Sequence, residues 1–215
     1  MHFEANHIYH IFNRGNNSQP IFFSRENYLF FLRKIKYYIP PHADILAWCL
    51  MPTHFHFMVF VHHIDAEFEG REPRNEGSSE HVNLSHPLNG LNSMTKRSLN
   101  DSFSILLRSY TRAIQKQNNI TGSLFQHRTK AVCLSEVDGI TPAWFQSQYG
   151  TIINIIDPEK EYPQVCFNYI HQNPVKSGLT RNPSDWEFSS YADITGIRNG
   201  KLINRERIKE LGLQI

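Results

Sequence analysis

The strongest hydrophobic pattern of the chain lies in two adjacent segments. Residues 44–51 (DILAWCLM) are apolar at almost every position, which is typical of a strand buried on both faces. After a break at Pro52-Thr53, residues 54–61 (HFHFMVFV) predict a second strand. Residues 7–13 (HIYHIFN) predict a further strand, because the turn signal Gly15-Asn16-Asn17 follows them.

Two segments with helical periodicity lie between the predicted strands. A helix is predicted over Glu26–Tyr38, and a second helix from Asp101 to about Gln117, where a capping box at residues 98–101 precedes it. Residues 123–134 then predict another strand. The order strand-helix-strand-strand-helix-strand indicates an α+β ferredoxin-like sandwich, with both helices on one face of an antiparallel sheet. The other face is expected to be open and to serve as a substrate platform.

A polar region interrupts this order. From His62 to Asn100 the chain is rich in Glu, Ser, Asn and Gly, which predicts a flexible insertion at about 62–100. Six acidic side chains and two arginines lie within residues 64–80, so the rest of the chain is more basic than the net charge of +2 suggests. We expect a core domain over 1–135 and a C-terminal extension over 136–215 that packs on the same domain.

The extension carries one clear helical segment and few other signals. A helix is predicted around Val165–Gln172, stopped by Asn173-Pro174.

The three cysteines, Cys49, Cys133 and Cys166, show no paired spacing and predict buried thiols in a reducing compartment. No signal peptide or membrane-length apolar run is present, so a cytoplasmic protein without membrane contact is expected.

Two histidines follow the buried strand. Because side chains alternate across a strand, His54 and His56 share one face and are separated by roughly 6–7 Å at the backbone. Neutral imidazoles at this spacing can converge on one divalent ion. The ordinary alternative is a pair of half-buried histidines on a sheet. The position beside a buried strand, on the face left free by the helices, favours the metal site.

Several blocks of the chain together resemble the HUH single-tyrosine transposases, and the last block resembles their REP-associated branch. The blocks are CLMPTHFHFMV, HIYHIFNRGNN, SYTRAIQKQNNITGSLFQHRTKAV and YIHQNPVKSGL followed by DWEFSSY. They span most of the chain outside 62–100 and 135–165. The resemblance implies an enzyme that nicks and rejoins single-stranded DNA, on hairpin-containing substrates, through a 5′-phosphotyrosine intermediate.

The resemblance also implies site residues. It places the catalytic tyrosine at Tyr110, although helical periodicity alone favours a core tyrosine there. It implies a divalent metal, Mg or Mn, at His54 and His56, with a third ligand about one turn beyond the tyrosine. The residue four positions on is Ile114, which cannot bind a metal, so Gln115 is the nearest polar candidate.

Basic side chains flank these positions. Arg108, Arg112 and Lys116 recur at four-residue spacing and predict a basic ridge on the second helix. The ridge is either a solvated helix face or, beside a tyrosine that attacks phosphate, a contact with the DNA backbone. The remaining DNA-binding candidates are Arg14 at the end of the first strand, Arg128 and Lys130 on a later strand, and Lys176, which the resemblance implies.

Three other functions fit parts of this pattern. A ferredoxin-like sheet with exposed aromatics is also found in nucleic-acid-binding modules that lack catalysis. A metal-dependent hydrolase would use water and form no covalent intermediate. A replication initiator or relaxase uses the same histidine pair, but such proteins commonly carry additional domains. Some transposases of this kind act as homodimers, so a homodimer is a further expectation.

Overall fold

The computed structural model describes residues 1–68, 94–135, 145–147, 150–152 and 158–215. Its centre is a four-stranded antiparallel sheet with the strand order β2-β3-β1-β6. The strands are β1 (Ile8–Arg14), β2 (Ala43–Met51), β3 (His54–Val61) and β6 (Lys130–Cys133). This order, with two crossover helices, confirms the predicted α+β fold.

Two helices cover one face of the sheet, as predicted. They are α1 (Arg25–Tyr38) and α2 (Leu99–Asn118). The Phe31 ring of α1 lies 5.4 Å from the Phe55 ring of β3 and 6.4 Å from that of Phe57, measured between centroids. Phe55 and Phe57 are at most 1% exposed. The apolar face of β3 therefore packs on the helices.

The first turn of α2 is capped by side chains. The Ser98 hydroxyl accepts a hydrogen bond from the Asp101 backbone N–H at 3.1 Å, and the Asp101 carboxylate accepts from the Ser98 hydroxyl at 2.7 Å. The helix ends at Asn119, whose φ of 50° is left-handed. The helix consequently begins two residues earlier than the sequence pattern predicts.

The opposite face of the sheet is covered in part by α3 (Pro158–Lys176), so it is not the open platform that the sequence suggested. The buried His171 ring hydrogen-bonds the Ser190 hydroxyl through Nε2 at 2.8 Å. That hydroxyl also accepts from the Trp48 backbone N–H of β2 at 2.9 Å. This buried chain of hydrogen bonds joins α3 to the edge of the sheet.

The third helix is longer than predicted, because it does not stop at Asn173-Pro174. Pro174 lies in the last turn of α3, where only two helical residues follow it. Pro174 has no N–H for the carbonyl four residues earlier, and the helix continues for only these two residues beyond it. The chain leaves the helix at Gly178, which has a left-handed φ of 69°.

The C-terminal residues protect the exposed edge of β2. Leu50 N–H donates to the Phe188 carbonyl and Asn204 N–H donates to the Ile45 carbonyl, both at 2.9 Å. The Arg207 guanidinium pairs with Asp44 at 3.1 Å. These contacts block pairing of the edge with another strand. The short helices of this region are α4 (Tyr191–Ile194) and α5 (Arg205–Glu210).

The predicted flexible insertion at 62–100 is corrected at both of its ends. Residues Asp65–Phe68 form β4 and Thr95–Ser98 form β5, and the two strands pair antiparallel. Phe68 is 4% exposed and lies under the Arg97 guanidinium, 4.8 Å from its ring centroid. Burial of one apolar side chain thus stabilises strands at both ends of the insertion, although their composition is polar. Residues 69–93 lie outside the described residues.

Two further differences concern the later strands. The strand predicted over 123–134 is formed only at Lys130–Cys133. Before it, the segment makes only an isolated bridge, between Gly15 and Phe125. The Asn13 side chain holds the segment in addition, because it donates to the Gln126 carbonyl at 3.2 Å and to the Thr129 hydroxyl at 2.9 Å. Strands β7 (Phe145–Ser147) and β8 (Gly150–Ile152) pair with each other. Across the described ranges, no helix has the length and apolarity needed to cross a membrane.

Replacing Phe68 with alanine should destabilise the fold by about 3 kcal/mol, the usual cost of emptying a buried phenylalanine site. Urea unfolding followed by circular dichroism would measure the loss. The matched control is Glu67→Ala on the exposed side of the same strand, which should change stability by less than about 0.5 kcal/mol. Equal stability of the two variants would mean that β4 contributes no packing.

Candidate active site

The two histidines of β3 lie together on the face that α3 covers. The ring centroids of His54 and His56 are 5.1 Å apart and the rings are nearly perpendicular. Their cross-strand partners on β1 are Arg14 and Phe12, respectively. The Thr53 hydroxyl lies 3.0 Å from Nδ1 of His54. The turn before β3 therefore holds the first ring, and the sheet positions the second.

A third histidine belongs to the same cluster and was not among the predicted site residues. Nε2 of His10, on β1, lies at hydrogen-bonding distance, 2.9 Å, from Nδ1 of His56. The two rings are stacked, with centroids 5.1 Å apart. His10 has the same parity as Phe12 and Arg14, so pairing β1 with β3 would have located it. That pairing is not visible in the β1 sequence alone.

Burial keeps this cluster neutral. It lowers the pKa of His10 to about 4 and the pKa of His56 well below the ordinary value, the latter helped by the neighbouring histidines. Burial, followed by the nearby Arg14 charge, also lowers the pKa of His54. Nε2 of His56 is buried and has no hydrogen-bond partner. The cluster therefore presents neutral imidazole nitrogens at neutral pH, one of them unsatisfied.

The third helix brings a tyrosine and an amide to these histidines. The Tyr169 ring centroid is 5.6 Å from that of His56 and 6.2 Å from that of His10, and the residue is 39% exposed. One turn later, the buried Asn173 side chain lies near His54, where its influence raises the pKa of that ring, and its Nδ2 donates to the Tyr169 carbonyl at 3.0 Å. The Lys176 ammonium lies 5.1 Å from the Tyr169 ring centroid.

Neither Tyr169 nor Asn173 was singled out from the sequence, although YIHQNP contains a signal. The tyrosine and the asparagine are four residues apart, which places them on one face of a helix. Interpreting Asn173-Pro174 as a helix stop obscured that relation.

A cavity of about 330 Å³ opens beside the histidines. Three of its lining side chains are cations, which suits an anionic group. The lining residues are Phe12, Asn13, Arg14, Thr53, His54, His56, Gln126, Arg128, Lys130 and Tyr169. Of the residues predicted to bind DNA, Arg14, Arg128 and Lys130 thus surround the histidine pair.

The structure places Tyr110 elsewhere, which corrects its assignment as the nucleophile. The side chain is completely buried between the sheet and the helices, with its ring 5.0 Å from that of Phe31. Its hydroxyl donates to the Ile21 carbonyl at 2.6 Å. Burial raises its pKa strongly. Because it packs on the Phe55 face of the sheet, Tyr110 lies opposite the histidines and is a core residue.

Gln115 is likewise not brought to the histidine pair. Its Nε2 donates to the Gly122 carbonyl at 2.6 Å, near the end of α2. It lines a second cleft of about 1050 Å³ between α2 and the segment 123–129, together with Arg108 and Arg112. The prediction of Gln115 as third ligand is therefore corrected. Its side chain instead holds the segment that follows α2, through the bond to Gly122.

The basic ridge of α2 borders this second cleft. Arg108, Arg112 and Lys116 are all exposed. The second cleft and the histidine cavity share Asn13, Gln126 and Arg128 in their linings. The two recesses are thus neighbours across the 126–128 segment, and a long anionic ligand could occupy both.

Comparison with known proteins gives one kind of likeness. No family model matches the sequence, and no curated protein matches it. Among solved structures, a REP-associated tyrosine transposase bound to a REP hairpin matches with a TM-score of 0.51 and 16% identity. The match covers 95% of this chain and 92% of that chain. At this identity the likeness concerns the fold, an α+β arrangement of an antiparallel sheet and helices that extends through the C-terminal region.

Proposed function

We propose that this chain is a transposase-like enzyme that nicks and rejoins single-stranded DNA through a covalent link to Tyr169. The observation that carries the proposal is the position of this partly exposed tyrosine against His56, beside a cavity lined by Arg14, Arg128 and Lys130. A phenol is an adequate nucleophile for a phosphodiester. The cations suit the phosphate that it would attack.

The side chains of this site fit a divalent metal. Among the described residues no three His, Cys, Asp or Glu side chains are grouped as ligands, so the two imidazoles need a donor of another type. Asn173 offers an amide oxygen beside His54, and His56 offers a buried nitrogen without a partner. Two imidazoles and one amide oxygen suit Mn²⁺, and also Mg²⁺ when water completes the shell.

We therefore assign His54, His56 and Asn173 as the residues that would hold Mg or Mn. When bound there, the ion would supply a Lewis acid for a phosphoryl oxygen. Asn173 then stands in the position proposed earlier for Gln115. It follows the tyrosine by one helical turn, the relation that the family resemblance implies.

The proposed reaction is an in-line transesterification. The Tyr169 oxygen forms a bond to the scissile phosphorus while the bond from phosphorus to the 3′ oxygen breaks. The products are a 5′-phosphotyrosine and a free 3′-hydroxyl: the phenol gives its proton to solvent, and the departing 3′ oxygen takes one proton from solvent. The Lys176 ammonium, 5.1 Å from the Tyr169 ring centroid, would contact the negatively charged phosphate. Attack by a second 3′-hydroxyl reverses the step and rejoins the strand.

The substrate that we propose is DNA with a hairpin and an unpaired flank. The structural neighbour holds a REP hairpin, and the two adjoining recesses here present cations from β1, α2 and the segment before β6. Arg14, Arg128 and Lys130 would contact the scissile region. Arg108, Arg112 and Lys116 would contact the backbone further along, in a manner independent of sequence. A homodimer stays a prediction.

The metal assignment predicts that wild-type protein binds Mn²⁺ and that His54→Ala/His56→Ala does not. Isothermal titration calorimetry would measure the difference. His63→Ala is the matched control, because this exposed histidine lies at the opposite end of β3. Undiminished binding by the double variant would place the ion elsewhere.

The nucleophile assignment predicts that Tyr169→Phe forms no covalent adduct with a labelled hairpin substrate, while its metal and DNA binding persist. A denaturing gel would detect the adduct, and peptide mapping should locate it in the peptide around Tyr169.

Tyr110→Phe is the matched control. It removes the hydrogen bond to Ile21 and should cost about 1–2 kcal/mol of stability, yet it should keep the adduct. An adduct in Tyr169→Phe, or its absence in Tyr110→Phe under conditions where the protein is folded, would contradict the assignment. Hairpin binding without any adduct in the wild type would instead favour the non-catalytic nucleic-acid-binding module.

DNA contact by the basic residues predicts a steep dependence of affinity on salt. Each phosphate contact contributes about 0.7–0.9 to the slope of log K against log salt. Arg128→Ala and Lys130→Ala should each reduce the magnitude of this slope by the share of about one phosphate contact. Fluorescence anisotropy titrations at several salt concentrations would measure it. Lys201→Ala, in the C-terminal region away from both recesses, should leave it unchanged. Equal slopes for all variants would remove these side chains from the interface.

A further inference from the structure

We propose that His10 is a positioning residue that selects the tautomer of His56. In this arrangement Nδ1–H of His56 donates to Nε2 of His10, which leaves the lone pair on Nε2 of His56 available to a cation. The inference rests on the proposed function, because that function gives the lone pair its use. It assigns a role to a strand residue that neither the family resemblance nor the proposed mechanism involves.

The geometry requires one proton between the two rings. Nε2 of His10 and Nδ1 of His56 are 2.9 Å apart, the distance of a good hydrogen bond. In a pair of neutral imidazoles, one nitrogen donates and the other accepts. The tautomer of each ring therefore depends on the other, and the nitrogen that carries the proton is decided by the remaining contacts of His56.

Those contacts favour His56 as the donor. If His10 donated instead, the proton of His56 would lie on Nε2, which is buried and has no partner. A buried N–H without an acceptor is costly. With His56 as the donor, the buried Nε2 carries a lone pair, which a bound cation would satisfy. The same bond then orients the ring and increases its basicity.

A further observation supports this direction. The neighbouring His54 is held in the same manner, with Nδ1 3.0 Å from the Thr53 hydroxyl. Both histidines of the pair are thus engaged through Nδ1, by a ring in one case and by a hydroxyl in the other.

The test uses the full-length protein with ¹⁵N-labelled histidine, first without metal. Long-range ¹H–¹⁵N correlation spectra report which nitrogen of each ring carries the proton. We expect His56 to be protonated at Nδ1 in the wild type. His10→Phe keeps an aromatic ring but offers no acceptor, so the His56 proton should move toward Nε2, and Mn²⁺ affinity in calorimetry should fall by about 10–100-fold.

His10→Gln is the conservative variant. Its amide oxygen reaches the position of Nε2, so it should restore the wild-type tautomer and bring Mn²⁺ affinity close to that of the wild type. Equal losses in both variants would show that His10 acts by packing alone. A wild-type His56 protonated at Nε2, or a His10→Phe spectrum and affinity identical to the wild type, would also overturn the proposal.

These outcomes are distinct from a failure of the proposed function. If the wild type bound no Mn²⁺, or bound it as well after loss of His54 and His56, the metal site would be wrong. The spectra of the metal-free protein would still decide whether His10 sets the His56 tautomer.

Discussion

The alternation of side chains along β3 is the constraint on which the rest of the structure depends. Phe55 and Phe57 pack under α1 and α2, while His54 and His56 point to the opposite face. Because a strand has a period of two, a shift of register by one residue would exchange these faces completely. The apolar contacts that stabilise the core therefore also fix where the imidazoles lie. The packing of β3 and the position of its two histidines are specified by the same eight residues.

This dependence explains which parts were predictable from the sequence. The bounds of β3, the apolar character of one face and the pairing of the two histidines all follow from a local pattern, and the order of elements was enough to predict the α+β fold. Tyr110 was misassigned for a physical reason. Helical periodicity correctly placed it on the inward stripe of α2, but the side of the sheet that receives the stripe is decided by long-range packing.

The position of α3 is the other feature that local pattern does not reveal. Its docking depends on His171 and Ser190, which are 19 residues apart in sequence, and on the backbone of Trp48 on β2. Each of these contacts joins elements that are distant in sequence, and the local sequence of one element does not indicate the other. The β4–β5 pair was missed for a similar reason, since Phe68 is one apolar residue in a polar segment and gains its burial from Tyr37, Tyr38 and Arg97.

The distance along the chain between Tyr169 and the histidines has a consequence for the timing of activity. The sheet carries the imidazoles, whereas α3 carries the tyrosine and the amide, and only the docked helix unites them. On the proposed function, a nascent or locally opened chain would be able to hold DNA without cutting it. Cleavage would then require the completed tertiary structure. Undocking of α3 would abolish the activity while the core stays folded.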